Sequence, residues 1–467
     1  MEKVFQNQAV KKMIHNNIFT IHFKTNSRKV FIMEKVKSIK LLGFPLPGFL
    51  VLFAGVMAIA LSGGMLGNMV GALGFAMIWG AFIGWIGDRI PIWNNWLGGG
   101  MFLTCLATGA LSTFHILPDS VVETLNSFNN TVGFLDLYIL VLITGAILSI
   151  DRKLLLKAFA GFIPAILGSI AVSFLFTAAA ALILGEDPLL GLVNVALPIM
   201  GGGNGAGCIP MSKMWGEMTG NAPESWYAPA FAVMSLGNLA AVVSAAFLDR
   251  MGQKYPSLTG NGTMMKKKSI TGADAPTEIK IGIGEYASGF ALGLCLFIFA
   301  DFYASKLSII NHAGLGFTIH KFAFMVIFAA ILNALGLIPA EIRAGARGMQ
   351  TFFTKYMSLP LMVTVGIGTD LTEFAGAFTF ANVVMIIACV VGAVAGAVLV
   401  GVLFGFYPVE IAITAGLDMA GGGGAGDVQI LGASHRMELM SFAQISSRIG
   451  GAIMLVIASA MFGMLNT

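Results

Sequence analysis

The sequence predicts an all-α polytopic membrane protein with eleven full transmembrane helices, two re-entrant glycine-tipped hairpins and an inverted internal repeat. Three observations carry that reading. Charges are too few to clothe a soluble surface. Apolar runs of spanning length recur along the whole chain. Two further apolar segments are each interrupted near the middle by consecutive glycines.

The 467 residues include 27 Lys/Arg and 23 Asp/Glu, so charged residues make up 11%, against roughly 25% in an average soluble domain. Apolar residues reach 57% and mean hydropathy is +0.85. A soluble chain of this length needs a polar surface that this one cannot supply, so membrane lipid is its surroundings. Collagen, disordered chains and disulfide scaffolds are excluded by the same composition. A net charge of +4 implies no nucleic-acid partner. The 59 glycines are about twice the average share of roughly 7%, which asks for close backbone approaches or irregular backbone. Cys105, Cys208, Cys295 and Cys389 lie in apolar or glycine-rich stretches without metal-ligand spacing, and packing is their expected role.

Residues 1–40 form a basic arm with nine Lys/Arg. Met33-Glu34-Lys35 echoes Met1-Glu2-Lys3, so residues 1–32 are either an upstream extension or a disordered tail. The apolar run 41–62 is too long for the core of a signal peptide and long enough to span a bilayer at about 20 residues. Ten more spans follow at roughly 66–87, 97–116, 133–150, 158–185, 226–248, 284–306, 321–338, 353–371, 376–406 and 438–465. Orientation follows from Lys and Arg in the short loops. Placing the polar linker 249–283, with Arg250, Lys254, Lys266, Lys267, Lys268 and Lys280, in the cytoplasm puts the arm inside as well. Arg152, Lys153 and Lys157, then Arg343 and Arg347, then Arg436 fall on the same side. Connections with Asp119 and Glu123, Glu186 and Asp187, and Asp370 and Glu373 fall outside, as does the C-terminus. Lys213, Lys306 and Lys321 are the exceptions.

The two interrupted segments are 189–215 and 409–433. Asn204-Gly205-Ala206-Gly207 in the first aligns with Gly423-Gly424-Ala425-Gly426 in the second. Five full spans separate them, an odd number, so the first enters from outside and the second from the cytoplasm. The repeats are then 41–248, which includes the first span, and 284–467. Inverted repeats whose broken helices meet near the midplane are the arrangement of secondary transporters. Non-helical backbone at that depth survives only inside protein or beside a water-filled cavity. Each helix restarting after a tip aims free N–H groups and a positive dipole end at that cavity. Two such ends make an anion site. Neither glycine run matches a dinucleotide fingerprint or a P-loop.

Arg448 lies ten residues beyond Glu438 in the last span, which is about 15 Å into a core of about 30 Å. An arginine there costs roughly 2.5–3.5 kcal/mol on the insertion scale. Ser441, Gln444, Ser447 and Arg448 share one helical stripe, expected to face the second tip. A planar fork of donors suits a carboxylate and binds it bidentately. Asn204 at the first tip either binds a hydroxyl, carboxylate or cation or caps a local turn. Asp427 either caps the restarting helix or helps bind a cation. Asp418, in apolar context, either holds a cation, stays protonated, or lies in a wet vestibule.

These stretches resemble the bacterial 2-hydroxycarboxylate transporters, the family of the citrate–sodium symporters and the malate and malate/lactate carriers. The likeness runs from about Lys40 to the C-terminus. It is carried by LITGAILSIDRKLLLK at 142–157, LPIMGGGNGAG at 197–207, NALGLIPAEIRAGAR at 333–347, FTFANVV at 378–384 and FAQISSRIGG at 442–451. The resemblance implies a homodimer in a bacterial cell membrane, with a static dimerisation domain and a mobile domain carrying both hairpins. It implies elevator-type movement coupled to Na⁺, or in some members to H⁺ or exchange, with no other cofactor. It places substrate at Asn204, Gly205, Gly423, Gly424, Ala425 and Arg448. It draws a sodium ion to tip carbonyls such as that of Gly203 and to the hydroxyls of Ser446 and Ser447, alongside the acidic candidates Asp418 and Asp427.

The chain also departs from the citrate symporters it resembles. They carry Asn-Arg before Gly-Gly-Ser-Gly-Asp; here those positions are Gly421 and Gly422, the serine is Ala425, and an upstream cysteine is Asp418. The pocket loses one positive charge, gains a potential negative one, and loses two groups that could help hold sodium. That favours a smaller acid, malate above all, over citrate. A passive anion channel is a weaker fit, because a central arginine facing two helix ends suits a binding site. An enzyme lacks support: His15, His22, His115, His312, His320 and His435 lie in loops or at helix ends, and no nucleophile–base pair is evident.

Overall fold

In lipid a backbone must satisfy its own N–H and C=O groups, and a helix does so within one segment. Each of the eleven apolar runs accordingly contains a helix. The computed structural model describes residues 39–91, 99–150, 161–266, 281–311, 319–369 and 378–465. Residues 1–38 of the arm lie outside the described residues, as do Arg152, Lys153, Lys157, Lys267, Lys268, Lys280, His312, Asp370 and Glu373.

After a two-residue antiparallel pairing of Lys40–Leu41 with Phe44–Pro45, the first half runs α1 Leu46–Leu61, α2 Met69–Gly87, α3 Gly99–Thr113, α4 Asp119–Asn130, α5 Phe134–Leu148 and α6 Phe162–Leu184. It continues with α7 Pro188–Met200, α8 Ile209–Thr219, entered through a π-helical turn Asn204–Cys208, and α9 Pro223–Lys254. The second half runs α10 Ile283–Asn311, α11 Lys321–Leu335, α12 Ala340–Phe352, a π turn Phe353–Met357 and α13 Ser358–Ile367. Then come α14 Phe380–Gly401 and α15, made of Pro408–Ile411, a π turn Ala412–Leu417 and Asp418–Ala420 in succession. The chain closes with α16 Gly424–Ala433 and α17 Met437–Leu465. Among the described residues seven helical stretches, one of them α4 and α5 taken together, are long and apolar enough to cross a membrane. The chain is an all-α membrane protein.

Two helices stand where the sequence reading has connections. α4 carries Asp119 and Glu123, and α12 carries Glu341, Arg343 and Arg347, so neither reads as a span. Both are amphipathic: Val121, Leu125 and Phe128 of α4 are buried at helical spacing, and that face supplies the packing a helix needs. Local signals also set the ends. The Asn68 side chain accepts from Val70 and Gly71 N–H at the start of α2, and Asp187 does the same for Leu189 and Leu190 at the start of α7.

Packing sorts most helices into two groups. α5 packs with α10, α11 and α12, and α13 with α2, α3 and α4. α6 packs along α14, and α7, α8, α9, α15, α16 and α17 gather around that pair. The α6–α14 seam uses small residues to bring backbones together, as membrane helix pairs do. A Cβ on Gly396 would stand 2.1 Å from the Gly168 carbonyl oxygen, and one on Gly392 2.7 Å from the Ser173 Cα.

The charged residues are less free than the loops suggest. Arg436 is buried and joins three segments: Nη1 donates to Asp249 at 2.5 Å, Nε to Glu410 at 3.1 Å and Nη2 to the Thr259 hydroxyl at 3.1 Å. Glu410, fully buried, also accepts from the Thr259 hydroxyl at 2.7 Å and from Gly260 N–H at 3.0 Å. This knot fastens the linker after α9 to the base of α15. Backbone bonds from Tyr407 to Met264 and from Lys266 to Gly405 run alongside it. Two of the three orientation exceptions are also compensated. Lys213 stands 3.9 Å from Asp136 and 3.6 Å from Glu217, and Lys321 is 3.0 Å from Glu217.

Candidate functional site

The two glycine tips meet. α7 ends at Met200 and helix resumes at Asn204; α15 ends at Ala420 and helix resumes at Gly424. The residue before each restart has nearly the same backbone: Gly203 has φ +102° and ψ −179°, Gly423 φ +72° and ψ −165°. That region is essentially reserved for glycine. A Cβ on Gly203 would stand 2.5 Å from the Gly422 carbonyl oxygen, and one on Gly423 2.8 Å from that of Gly202. The glycine runs thus permit both the turn and the contact.

Beside the joined tips lies a cavity of about 320 Å³, at the small end of the range for ligand pockets. Gly202, Gly203, Asn204, Gly205 and Ala206 form one wall, and Gly422, Gly423, Gly424 and Asp427 another. Gln444, Ser447 and Arg448 of α17 complete this side. Tyr138, Leu142 and Ala146 of α5 face them, with Gln350, Thr354, Ser358 and Met362 from the α12–α13 stretch. In each restarting helix the first intrahelical backbone bond comes from Gly207 N–H to Gly203, or from Asp427 N–H to Gly423. The N–H groups before these are the orphan donors of a helix start, at its positive end.

Asn204 is buried, and its carboxamide oxygen accepts from the Tyr227 hydroxyl at 3.0 Å. That bond orients the side chain and leaves its NH₂ as the donor toward the cavity. Asp427 is not a cap: its carboxylate accepts from the Ser447 hydroxyl at 2.7 Å, which ties α16 to α17. Arg448 lines the cavity, with Nη1 donating to the Ser149 hydroxyl at 2.6 Å. Among the described residues Arg448 forms no ion pair. Ser446 does not line the cavity; its hydroxyl donates to the Thr414 carbonyl at 2.5 Å and binds α17 to α15. Asp418 also stands back from the cavity wall, fully buried, with both carboxyl oxygens lacking a hydrogen-bond partner among the described residues. Gly424 lines the cavity, whereas the side chain of Ala425 lies outside the described residues.

Several site residues carry no local signal in the sequence. Asn238 of α9 accepts from Gly422 N–H at 3.0 Å and donates to Gln429 of α16 at 2.8 Å, bracing the second tip. Asn238 and Gln429 line a second cavity of about 410 Å³, which shares Asn204, Thr354, Ser358 and Gly422 with the first. One signal was available: Gln350, Thr354 and Ser358 recur every four residues through an apolar stretch, which puts three polar groups on one helical face. Four of the five π-helical turns among the described residues hold or adjoin these groups: 204–208, 353–357, 412–417 and 446–450. Such turns frequently mark functional sites.

Known proteins resemble this chain over nearly its whole length. The model of the 2-hydroxycarboxylate transporter family matches residues 41–460. The citrate/sodium symporter of Salmonella typhimurium is 42% identical over 427 residues, covering 91% of this chain and 95% of that protein. The citrate transporter CitP of Leuconostoc mesenteroides subsp. mesenteroides is 32% identical, covering 95% of this chain and 98% of its own. The malate transporter MleP of Lactococcus lactis subsp. lactis is 32% identical, covering 91% and 98%. With a matching family model over nearly its whole length, and relatives that are transporters rather than enzymes, the chain belongs to the 2-hydroxycarboxylate transporter family.

Proposed function

We propose that the protein carries a small 2-hydroxydicarboxylate, malate above all, by elevator-type alternating access coupled to Na⁺ or H⁺. The observation that carries this reading is the cavity between two glycine tips, lined among the described residues by a single guanidinium, that of Arg448. One substrate carboxylate binds Arg448. The helix starts at Asn204–Gly205 and at Gly423–Ala425 hold the rest of the anion, and the Asn204 amide meets its hydroxyl or second carboxylate. A coupling Na⁺ would draw on Asp427, Ser447 and the Gly203 carbonyl, since hard cations take oxygen ligands. Asp418, buried without a partner, suits neutralisation by a proton or a cation, because an isolated buried carboxylate is costly. In the full arrangement eleven helices cross the membrane. The two tips are inverted re-entrant hairpins, the N-terminus is cytoplasmic and the C-terminus outside, and two copies form a dimer.

The inverted geometry has its own test. Cysteine at Ala206 should react with a small impermeant thiol reagent from outside, and at Ala425 from the cytoplasm, with malate protecting both. Labelling of both positions from one face alone removes the inverted hairpins.

Substrate choice rests on charge. A third carboxylate would bring an unpaired buried charge costing several kcal/mol, and Gly422 offers it nothing. A second reading, citrate carried with Na⁺, is favoured by the 42% identity to a citrate/sodium symporter. Proteoliposome uptake of labelled malate, with unlabelled citrate as competitor and imposed Na⁺ or pH gradients, separates the two. Malate preference is the expected result; equal competition by citrate at neutral pH sinks the charge argument. A Cβ on Gly422 would find its nearest atoms, those of Asn238, at 3.7 Å, so the backbone there admits the start of a side chain, and Gly422→Arg tests the charge argument. That variant should move preference toward citrate by about tenfold, the shift that roughly 1.4 kcal/mol gives.

A further inference from the structure

The Arg448 side chain is held from behind by a residue of the opposing helix group. Ser149, the residue just after α5, accepts a hydrogen bond from Nη1 at 2.6 Å and donates its own O–H to the Ala146 carbonyl at 2.9 Å. The hydroxyl is thus oriented as an acceptor toward the guanidinium. Arg448 lines the cavity and Ser149 does not. A guanidinium has two edges that can take a carboxylate bidentately, Nη1–Nη2 and Nε–Nη2. Ser149 takes one of the two Nη1 N–H groups, which ties the guanidinium in place and leaves its other donors for the cavity.

We infer that Ser149 is a positioning residue for substrate recognition, holding the guanidinium of Arg448 toward the cavity only in the conformation seen here. This rests on Arg448 being the carboxylate anchor. Arginine has a large rotamer entropy to lose, and fixing the side chain before substrate arrives removes part of that cost from binding. The restriction to one conformation follows from where the two residues sit. α5 packs with α10, α11 and α12, whereas α17 packs mainly with α8, α15 and α16 around the tips and meets α11 and α5 where the two groups touch. Any movement of one group past the other, which alternating access requires, pulls Ser149 from Arg448 and releases the guanidinium. Substrate is therefore bound more tightly when the site opens to one face of the membrane than to the other.

The test is malate transport in vesicles of both orientations, with KM and kcat measured from each face for the native protein, Ser149→Ala and Ser149→Thr. The native protein should show unequal KM values. Ser149→Ala should raise the lower one by about tenfold, the scale of one hydrogen bond to a charged group. It should leave the higher one and kcat little changed, and Ser149→Thr should restore the asymmetry. Equal KM values in the native protein, equal shifts from both faces, or a fall in kcat alone would overturn the inference. Arg448→Lys in the same vesicles keeps the two ideas apart. If it leaves KM unchanged, the anchor itself is wrong; if it raises KM while Ser149→Ala does not, only the role of Ser149 fails.

Discussion

Arg448→Lys should raise the KM for malate by roughly 10- to 100-fold while the protein inserts at native levels. Lysine keeps the positive charge that the cavity needs but presents three donors on a single nitrogen, so the planar two-point contact with a carboxylate is lost. Hydrogen bonds to charged groups contribute about 1.5–3 kcal/mol, and each 1.4 kcal/mol is tenfold, which sets the range. The same change breaks the 2.6 Å bond to Ser149. Initial-rate uptake in proteoliposomes, against quantified protein in the membrane, reads the effect. A variant with native KM shows that the carboxylate is anchored elsewhere.

Gly202→Ala should cut malate uptake at least about tenfold. Gly202 sits at φ +76°, where a left-handed backbone costs an alanine roughly 1–2 kcal/mol. The added methyl would also stand 2.2 Å from the Ser447 carbonyl oxygen and 2.9 Å from the Gly451 Cα. Neither is a flexible side-chain end, so relief comes only by moving the first tip off α17. That displaces Asn204 relative to Arg448, and displacements of about 1 Å can cost a hundredfold where geometry is critical. Gly74→Ala is the control: a Cβ there meets nothing within 4 Å, and alanine is the better helix former by about 1 kcal/mol. Equal activity of the two variants would mean that the tip tolerates displacement and is not the binding surface.

Much of this arrangement is legible in the sequence because its signals are local. Consecutive glycines inside apolar segments mark the tips, since no packing need alone explains a run at positions 201–203 and again at 421–424. The depth of Arg448 follows from counting residues along one helix. Asp427 was legible as a site residue but not its bond to Ser447, because helix spacing does not reveal which of two neighbouring helices a side chain leans toward. Tyr227 and Asn238 were not legible at all. Each reaches a tip from α9, 23 residues from Asn204 in one case and 184 residues from Gly422 in the other, and nothing in the local pattern separates them from polar residues that merely satisfy a helix interior. Arg436 shows the opposite failure. Its position in a short connection reads as a free topological charge, whereas its partners at Asp249, Thr259 and Glu410 bury it.

That knot also dictates an order of assembly during synthesis. Asp249 and Thr259 emerge from the ribosome far ahead of Arg436, which lies 187 residues beyond Asp249, and Glu410 still precedes it by 26. Until Arg436 arrives, two carboxylates destined for burial have no cation, and an ionised carboxylate buried alone is strongly disfavoured. Both are favoured in a hydrated state until then, which leaves the linker and the base of α15 without their fastening. The arginine arrives late and closes both at once. The first half of the chain therefore lacks this fastening until position 436 is made, and chains halted between α15 and that position leave Asp249 and Glu410 without the arginine that joins them.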